Sequence, residues 1–184
     1  MEQASTVSAN VTEISSVTAE DAATPFDCGE HSLNDFLARH ALKNHVSGIG
    51  KTYVLRRLPP SPPSIRVIGY STVAMSSAAS VEISTVEAMR LPKYPIPVGL
   101  IAKLAVHVAE HGNGWGERLL IHALRIILAA SETVGCMGVI VDALSESAVS
   151  FYRRYGFEVL DPSAPFPRRM YLPLATIRAL TNRQ

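Results

Sequence analysis

The 184-residue chain has little cysteine: only Cys28 and Cys136. Two thiols cannot build a disulfide framework, so the fold must rest on a packed core, and the expected setting is the reducing cytoplasm. No apolar run approaches the roughly 20 residues of a membrane span. The first residues, Met1-Glu2-Gln3-Ala4-Ser5, lack the basic flank and apolar block of a signal peptide. His45, His107 and His122 stand in no metal-ligand pattern, so no metal is expected and they read as ordinary surface or core histidines. Charge of one sign is also locally missing. Residues 1–35 hold Glu2, Glu13, Glu20, Asp21, Asp27, Glu30 and Asp35 but no Lys or Arg. Residues 36–81 hold Arg39, Lys43, Lys51, Arg56, Arg57 and Arg66 but no acid. Under a net charge of +1 this is either a solvated helix face and hairpin rim or a patch facing a polyanion.

What is present fits one globular domain: 47% hydrophobic residues and 18% charged. Residues 1–10 read as a loose end, 11–173 as the domain and 174–184 as a peripheral tail. Val11 to Ser16 alternates like a strand. Ser32-Leu33-Asn34-Asp35 reads as a capping box opening a helix. Leu33, Phe36, Leu37, Ala41 and Val46 fall on one face of that helix, and Gly48 and Gly50 end it. Lys51 to Leu58 and Ile65 to Ala79 read as an antiparallel strand pair around the loop Pro59-Pro60-Ser61-Pro62-Pro63. Residues 80–97 carry no clear pattern except Leu91-Pro92-Lys93-Tyr94-Pro95-Ile96-Pro97, which is extended and punctuated by proline. Val98 to Val108 is an apolar run interrupted by Lys103 and His107, expected to be a central strand buried on both faces. Trp115 to Glu132 is an amphipathic helix with Leu119, Leu120, Ala123, Leu124 and Ile127 inward. Gly138 to Ala143 is a second buried strand. Ser145 to Tyr155 is a second helix stopped by Gly156. Phe157 to Leu160 and Arg169 to Leu172 close the domain as a hairpin. The order describes a mixed, mostly antiparallel α/β sheet with a central strand, glycine turn and helix.

The turn His111-Gly112-Asn113-Gly114-Trp115-Gly116 carries the chemistry. Glycines let backbone approach a ligand, and a helix start presents unpaired N–H groups behind a dipole, which suits phosphate. The spacing is not that of a P-loop or a dinucleotide fingerprint, and a tight strand–helix connection without ligand is the alternative. Two further stretches bear on the choice: Leu104-Ala105-Val106 upstream, and Ser150-Phe151-Tyr152-Arg153-Arg154-Tyr155-Gly156-Phe157 downstream. Together they resemble the GNAT superfamily of N-acetyltransferases. His111 stands at the Gln/Arg position of its cofactor motif, and Gly114 and Gly116 stand at the small positions. The resemblance spans residues 11–173. Phe26-Asp27-Cys28-Gly29, Leu33-Asn34-Asp35-Phe36-Leu37, Ala41-Leu42-Lys43-Asn44 and Pro95-Ile96-Pro97 are similar to the TacT-type acetyltransferase toxins of bacterial toxin–antitoxin pairs.

That resemblance implies a single-domain GNAT-like fold and acetyl-CoA as cofactor. Backbone N–H groups of Gly112, Asn113, Gly114, Trp115, Gly116 and Glu117 would face its pyrophosphate, with His111 completing the cofactor motif. Leu104, Ala105 and Val106 would align its pantetheine arm. Tyr152 would donate to the departing sulfur; its other reading is an aromatic that packs the helix on the sheet. Tyr155 fits the spacing less well, and Ser145 stands where many relatives have Asn. Glu110, Asp142 and Glu146 are the carboxylates within reach as bases, and none stands out. A lysine amine titrates near 10.4 and needs a base, whereas an α-amine near 7.7–8.0 is already partly neutral. The implied substrate is aminoacyl-tRNA, acetylated on its α-amine to block translation. Arg39, Lys43, Lys51, Arg56 and Arg57 would meet its phosphates, with Arg90, Lys93, Arg153 and Arg154 nearer the acceptor end. The implied partners are a ribbon-helix-helix antitoxin and a second copy in a homodimer. A GNAT enzyme for small amines or peptide N-termini, and a non-catalytic acyl-CoA-binding module, are the alternatives.

Overall fold

A computed structural model describes residues 11–58, 66–79 and 95–181. Strand β1 is Val11–Ser16, β2 Lys51–Leu58, β3 Val67–Ala78, β4 Ile96–Val106, β5 Gly138–Ala143, β6 Glu158–Val159 and β7 Arg168–Pro173. They form one sheet in the order β1-β2-β3-β4-β5-β7-β6. Only β4 and β5 pair in parallel; every other neighbour is antiparallel. The proline loop 59–63 and residues 80–94, with the first part of the extended stretch, lie outside the described residues, as do Arg90 and Lys93.

Two layers of helix cover the sheet. Helix α1 is Ala19–Ala23, α2 His31–Asp35 and α3 Ala41–Ser47; a π turn, Phe36–His40, joins the last two. Their apolar side, with Leu33, Leu37 and Ala41 buried, packs on Val54, Val67, Tyr70 and Ala105. Helix α4, Trp115–Ser131, covers the other face with the five inward residues read from its periodicity all buried. Helix α5 is Glu146–Arg153 and α6 Leu174–Thr181. Gly99 seats α4 against β4, because a Cβ there would lie 2.4 Å from the Ile127 side chain.

Several local expectations are corrected. The α2 cap is Glu30, whose carboxylate accepts from the Ser32 N–H at 3.3 Å, not Ser32. Asp35 instead pairs with Arg39 at 2.8 Å, one turn on. A reciprocal capping box exists one element earlier, between Thr18 and Asp21. The extra residue of the π turn rotates the helix, so Val46 leaves the apolar face and is 77% exposed. The central strand ends at Val106; His107 and Val108 start a 3₁₀ turn. The expected peripheral tail is a helix over Leu174–Thr181, and its Ile177 is fully buried in the α4 core.

Candidate active site

The sheet divides at its centre. β5 pairs with β4 only through Gly99, Leu100 and Ile101. β4 continues on β3 alone as far as Val106, and its register skips Ala102, a bulge that bends the strand. Beyond Ile101 the β5-facing edge of β4, which includes Leu104, Ala105 and Val106, therefore has no partner strand among the described residues. An unpaired edge offers its N–H and C=O groups to an extended ligand, as another strand would. Leu104 and Val106 pack toward Trp115 and Leu119 on the α4 side, whereas Ala105 packs among the α2–α3 residues.

The glycine turn sits at the end of that edge. Gly112 and Gly114 have φ of +79° and +80°, and no atom lies within 4 Å of where a Cβ would project. Their conformation demands glycine, and the space beside them is open. Gly114 is the N-cap of α4, and no side chain caps it. The first intrahelical bond runs from the Arg118 N–H to the Gly114 carbonyl at 3.1 Å. The N–H groups of Trp115, Gly116 and Glu117 are thus left without intrahelical partners at the positive end of a 17-residue helix. Gly116 faces Phe151, whose ring would be 3.4 Å from a Cβ. These features fit a diphosphate and its extended arm.

Side chains fix the turn. The His111 ring donates from Nε2 to the Val106 carbonyl at 2.8 Å, tying loop to strand end. Arg57, from β2, donates to both carboxylate oxygens of Glu110 at 2.9 and 3.3 Å. The Trp115 indole donates to the same carboxylate at 3.1 Å. Glu110 is only 8% exposed, and Arg57 first, with help from Trp115 and Asn113, holds its carboxyl below the usual value. Glu110 is therefore not an exposed loop carboxylate, and its oxygens are engaged by Arg57 and Trp115. It is the anchor of the glycine turn.

The other base candidates are similarly engaged. Asp142 pairs with Arg169 at 2.9 Å and Glu146 with Arg168 at 2.7 Å. Ser145 caps α5 by accepting from the Ala148 N–H at 3.3 Å. Tyr152 lies in the α5 turn that packs on the sheet, against Phe151 and Phe157 with ring centroids 5.1 and 5.3 Å away. It is 8% exposed, and burial pushes its phenol well above its ordinary value. Among the described residues its hydroxyl has no hydrogen-bond partner. Tyr155 is half-buried, its phenol also raised by burial and by Glu117.

A model of the acetyltransferase (GNAT) domain matches residues 66–159, half of the chain. A tRNA-acetylating toxin of Mycobacterium tuberculosis (strain ATCC 25618 / H37Rv) is 34% identical over 160 residues, covering 87% of this chain and 90% of that protein. The chain belongs to the GNAT acetyltransferase family. Among solved structures, a Tyr-to-Phe mutant of KacT superposes with a TM-score of 0.81 at 30% identity, over 92% of this chain and 98% of that one. AtaT complexed with acetyl-methionyl-tRNAfMet superposes with a TM-score of 0.79 at 31% identity, over 92% and 99%.

This GNAT domain disposes of the charge asymmetry in an unforeseen way. β1 runs antiparallel to β2 with Glu13 opposite Arg56. Arg56 is buried and donates from Nε to Asp21 at 3.1 Å, and also to Ser15 and the Ser16 carbonyl. Arg66 pairs with Glu20 at 2.7 Å. The acidic block thus neutralises much of the basic one. Arg56 and Arg57 are internal ion-pair partners, which corrects their assignment to phosphate binding. Arg39, Lys43, Lys51, Arg153 and Arg154 are exposed, and Arg154 lies over the Phe151 ring at 5.4 Å.

Missed from sequence was the Arg57–Glu110–Trp115 anchor. The acid directly before the glycine turn was the available signal. Its partner sits 53 residues upstream, and only the sheet brings them together.

Proposed function

We propose that the chain is a toxin that transfers the acetyl group of acetyl-CoA to the α-amine of an aminoacyl-tRNA. The observation that carries the acceptor reading is the engagement of every candidate base: Glu110, Asp142 and Glu146 each hold an arginine. With all three of these carboxylates engaged, the acceptor is one that supplies a neutral amine itself. An α-amine beside an ester does so near neutral pH; a lysine side chain does not. The AtaT structure with acetyl-methionyl-tRNA and the name of the mycobacterial relative support the same choice.

Bound acetyl-CoA would supply an activated thioester carbonyl. Around it, the N–H groups of residues 112–117 bind the diphosphate. The free edge of Leu104 to Val106 orients the arm, and a β4 N–H faces the carbonyl oxygen. Tyr152, protonated throughout the working range, donates a hydrogen bond to the departing sulfur. Arg39, Lys43 and Lys51 line one flank for tRNA phosphates, with Arg153, Arg154 and, outside the described residues, Arg90 and Lys93 as the remaining cations. The working form is a cytoplasmic homodimer silenced by a ribbon-helix-helix antitoxin; that an antitoxin is the partner is supported by AtaT, a relative bound to the C-terminus of the antitoxin AtaR.

Purified protein, radiolabelled acetyl-CoA and a panel of charged tRNAs test the reading. Label should appear at the aminoacyl end of charged tRNA and not on deacylated tRNA. Label found only on free amines or peptides would establish the small-amine alternative instead.

A further inference from the structure

Engaging every base leaves a chemical problem. Amino acid esters are still partly protonated in a neutral cell, and a protonated amine has no lone pair to attack with. Something in the site must favour the neutral form. Lys103 is placed to do so. It stands on β4 directly after the bulge, where β5 has left the sheet. Its neighbours at alternate positions tell which face it occupies: Ala105 packs with Leu33, Leu37 and Ala41, and Leu104 packs on the α4 side. Lys103 thus emerges on the α2–α3 face, opposite the diphosphate clamp. Its ammonium lies 5.6 Å from the centroid of the Phe36 ring.

Among the described residues, the other cations that are buried or half-buried, Arg56, Arg57, Arg66 and Arg168, all have carboxylate partners, and the cations without one are otherwise exposed. Lys103 is half-buried and has no carboxylate within 4 Å among the described residues. The groups around it are accounted for. On β3, Thr72 is its cross-strand neighbour, and the Tyr70 hydroxyl donates to the Leu33 carbonyl. On β2, Thr52 shares a hydrogen bond with Thr72. At the π turn, Asp35 is held by Arg39 at 2.8 Å and faces His40 at 3.6 Å. At the strand end, the His107 ring accepts from the Ala109 N–H. On β5, Asp142 is held by Arg169.

We infer that Lys103 replaces a general base: its unpaired positive charge repels a proton from the acceptor amine and holds that amine neutral at the thioester. With the clamp on the α4 face, the α2–α3 face is the side from which an acceptor reaches the β4 edge, so the amine arrives beside this ammonium. A cation next to an amine lowers the amine's pKa, a known means of activating nitrogen nucleophiles. The step balances without an extra reagent. The amine nitrogen forms a bond to the acetyl carbon and the carbon–sulfur bond breaks. The proton lost by nitrogen passes to water, and the sulfur leaves as CoA thiol after taking a proton. The inference rests on the acceptor reading above.

The test is the pH profile of kcat/KM for acetylation of charged tRNA by wild type, Lys103→Met, Lys103→Gln and Lys103→Arg. Met keeps the stem against Phe36 and removes the charge. In both neutral variants the acid limb should move up by about one unit, the size of a single charge a few ångströms away in a half-exposed site. The deficit should be greatest near pH 6 and vanish above pH 9, and Arg should restore the wild-type limb. His40 lies against Phe36 and Asp35, so the shift must persist in a His40→Gln background. Equilibrium binding gives a second readout. Charged tRNA should lose affinity for wild type on going from pH 8 to pH 6, and lose less with Lys103→Met, while deacylated tRNA shows no difference. If the neutral variants keep the wild-type limb and only raise KM with a shallower salt dependence, Lys103 contacts phosphate and the inference is wrong. If wild type does not acetylate charged tRNA at all, the acceptor reading fails instead.

Discussion

Glu110→Gln isolates the anchor beneath the glycine turn. The substitution keeps the shape of the side chain and removes its charge. Gln presents one acceptor oxygen and one NH₂ donor to a site built from three donating N–H groups, two of Arg57 and one of Trp115. At least one donor loses its acceptor, and the Arg57 charge loses its counter-ion while its side chain is only 15% exposed. A hydrogen bond to a charged group contributes about 1.5–3 kcal/mol, and breaking a fully buried ion pair costs about 3–5 kcal/mol. For this slightly accessible pair a loss of about 2–3 kcal/mol follows, roughly a 5–10 °C drop in Tm for a domain of this size. The loss has a pH signature. Because the folded carboxyl titrates below its ordinary 4.5, its stabilisation is complete above that value and fades as pH falls through the lowered one. The Gln variant should therefore lose less stability on acidification than wild type. Freeing the turn also charges its ordering to the binding step. The acetyl-CoA Kd by calorimetry should rise about tenfold, or 1.4 kcal/mol, with kcat at saturation little changed. Arg57→Met should act in the same direction, and the double variant should cost less than the sum of the two. A Glu110→Gln protein that melts early yet binds acetyl-CoA normally would refute the idea that this pair positions the turn.

Three further outcomes follow from the geometry. Tyr152→Phe should lower kcat by about 10²-fold or more with acetyl-CoA affinity unchanged, read by steady-state kinetics and calorimetry; equal turnover would leave Tyr152 a packing residue only. Lys43→Ala combined with Lys51→Ala should flatten the salt dependence of tRNA binding by about two phosphate contacts, whereas Arg56→Met should destabilise the fold without that signature. Burial first, and Arg125 second, holds His122 below its ordinary 6.5, so the folded state resists its protonation. Stability from this source is intact above pH 6.5 and falls as pH drops below it. His122→Phe should remove that slope in urea titrations run between pH 5 and 7.

Local signals made much of the fold legible. The alternation of Val11 to Ser16, the apolar run of β5 and the periodicity of α4 each depend on residues close in sequence, and each lies where it was read. The glycine turn was legible because positive φ at Gly112 and Gly114 can be met cheaply only by glycine. The π turn was not, because nothing in Phe36-Leu37-Ala38-Arg39-His40 distinguishes it from an α turn; packing on β2 and β3 decides it. The tail was misjudged because one buried residue, Ile177, is too few to give a period.

The charge pattern shows where reading a sequence block by block goes wrong. A run of cations without acids looked like a surface for a polyanion. Pairing across β1 and β2, and across β2 to the turn, turned its most central members, Arg56 and Arg57, into internal counter-ions. Other cations are left without a carboxylate partner after this cancellation. Lys43, Lys51, Arg153 and Arg154 have no carboxylate within 4 Å among the described residues and stay exposed, which suits screened contacts to phosphate. Lys103 is equally unpaired but half-buried at the divided sheet, where screening is weaker and one charge acts more strongly on its neighbour. A net charge of only +1 and a paired interior thus leave, among the described residues, two kinds of cation without a carboxylate partner. The exposed ones suit holding a nucleic acid, and the sheltered one suits tuning the amine that the nucleic acid carries.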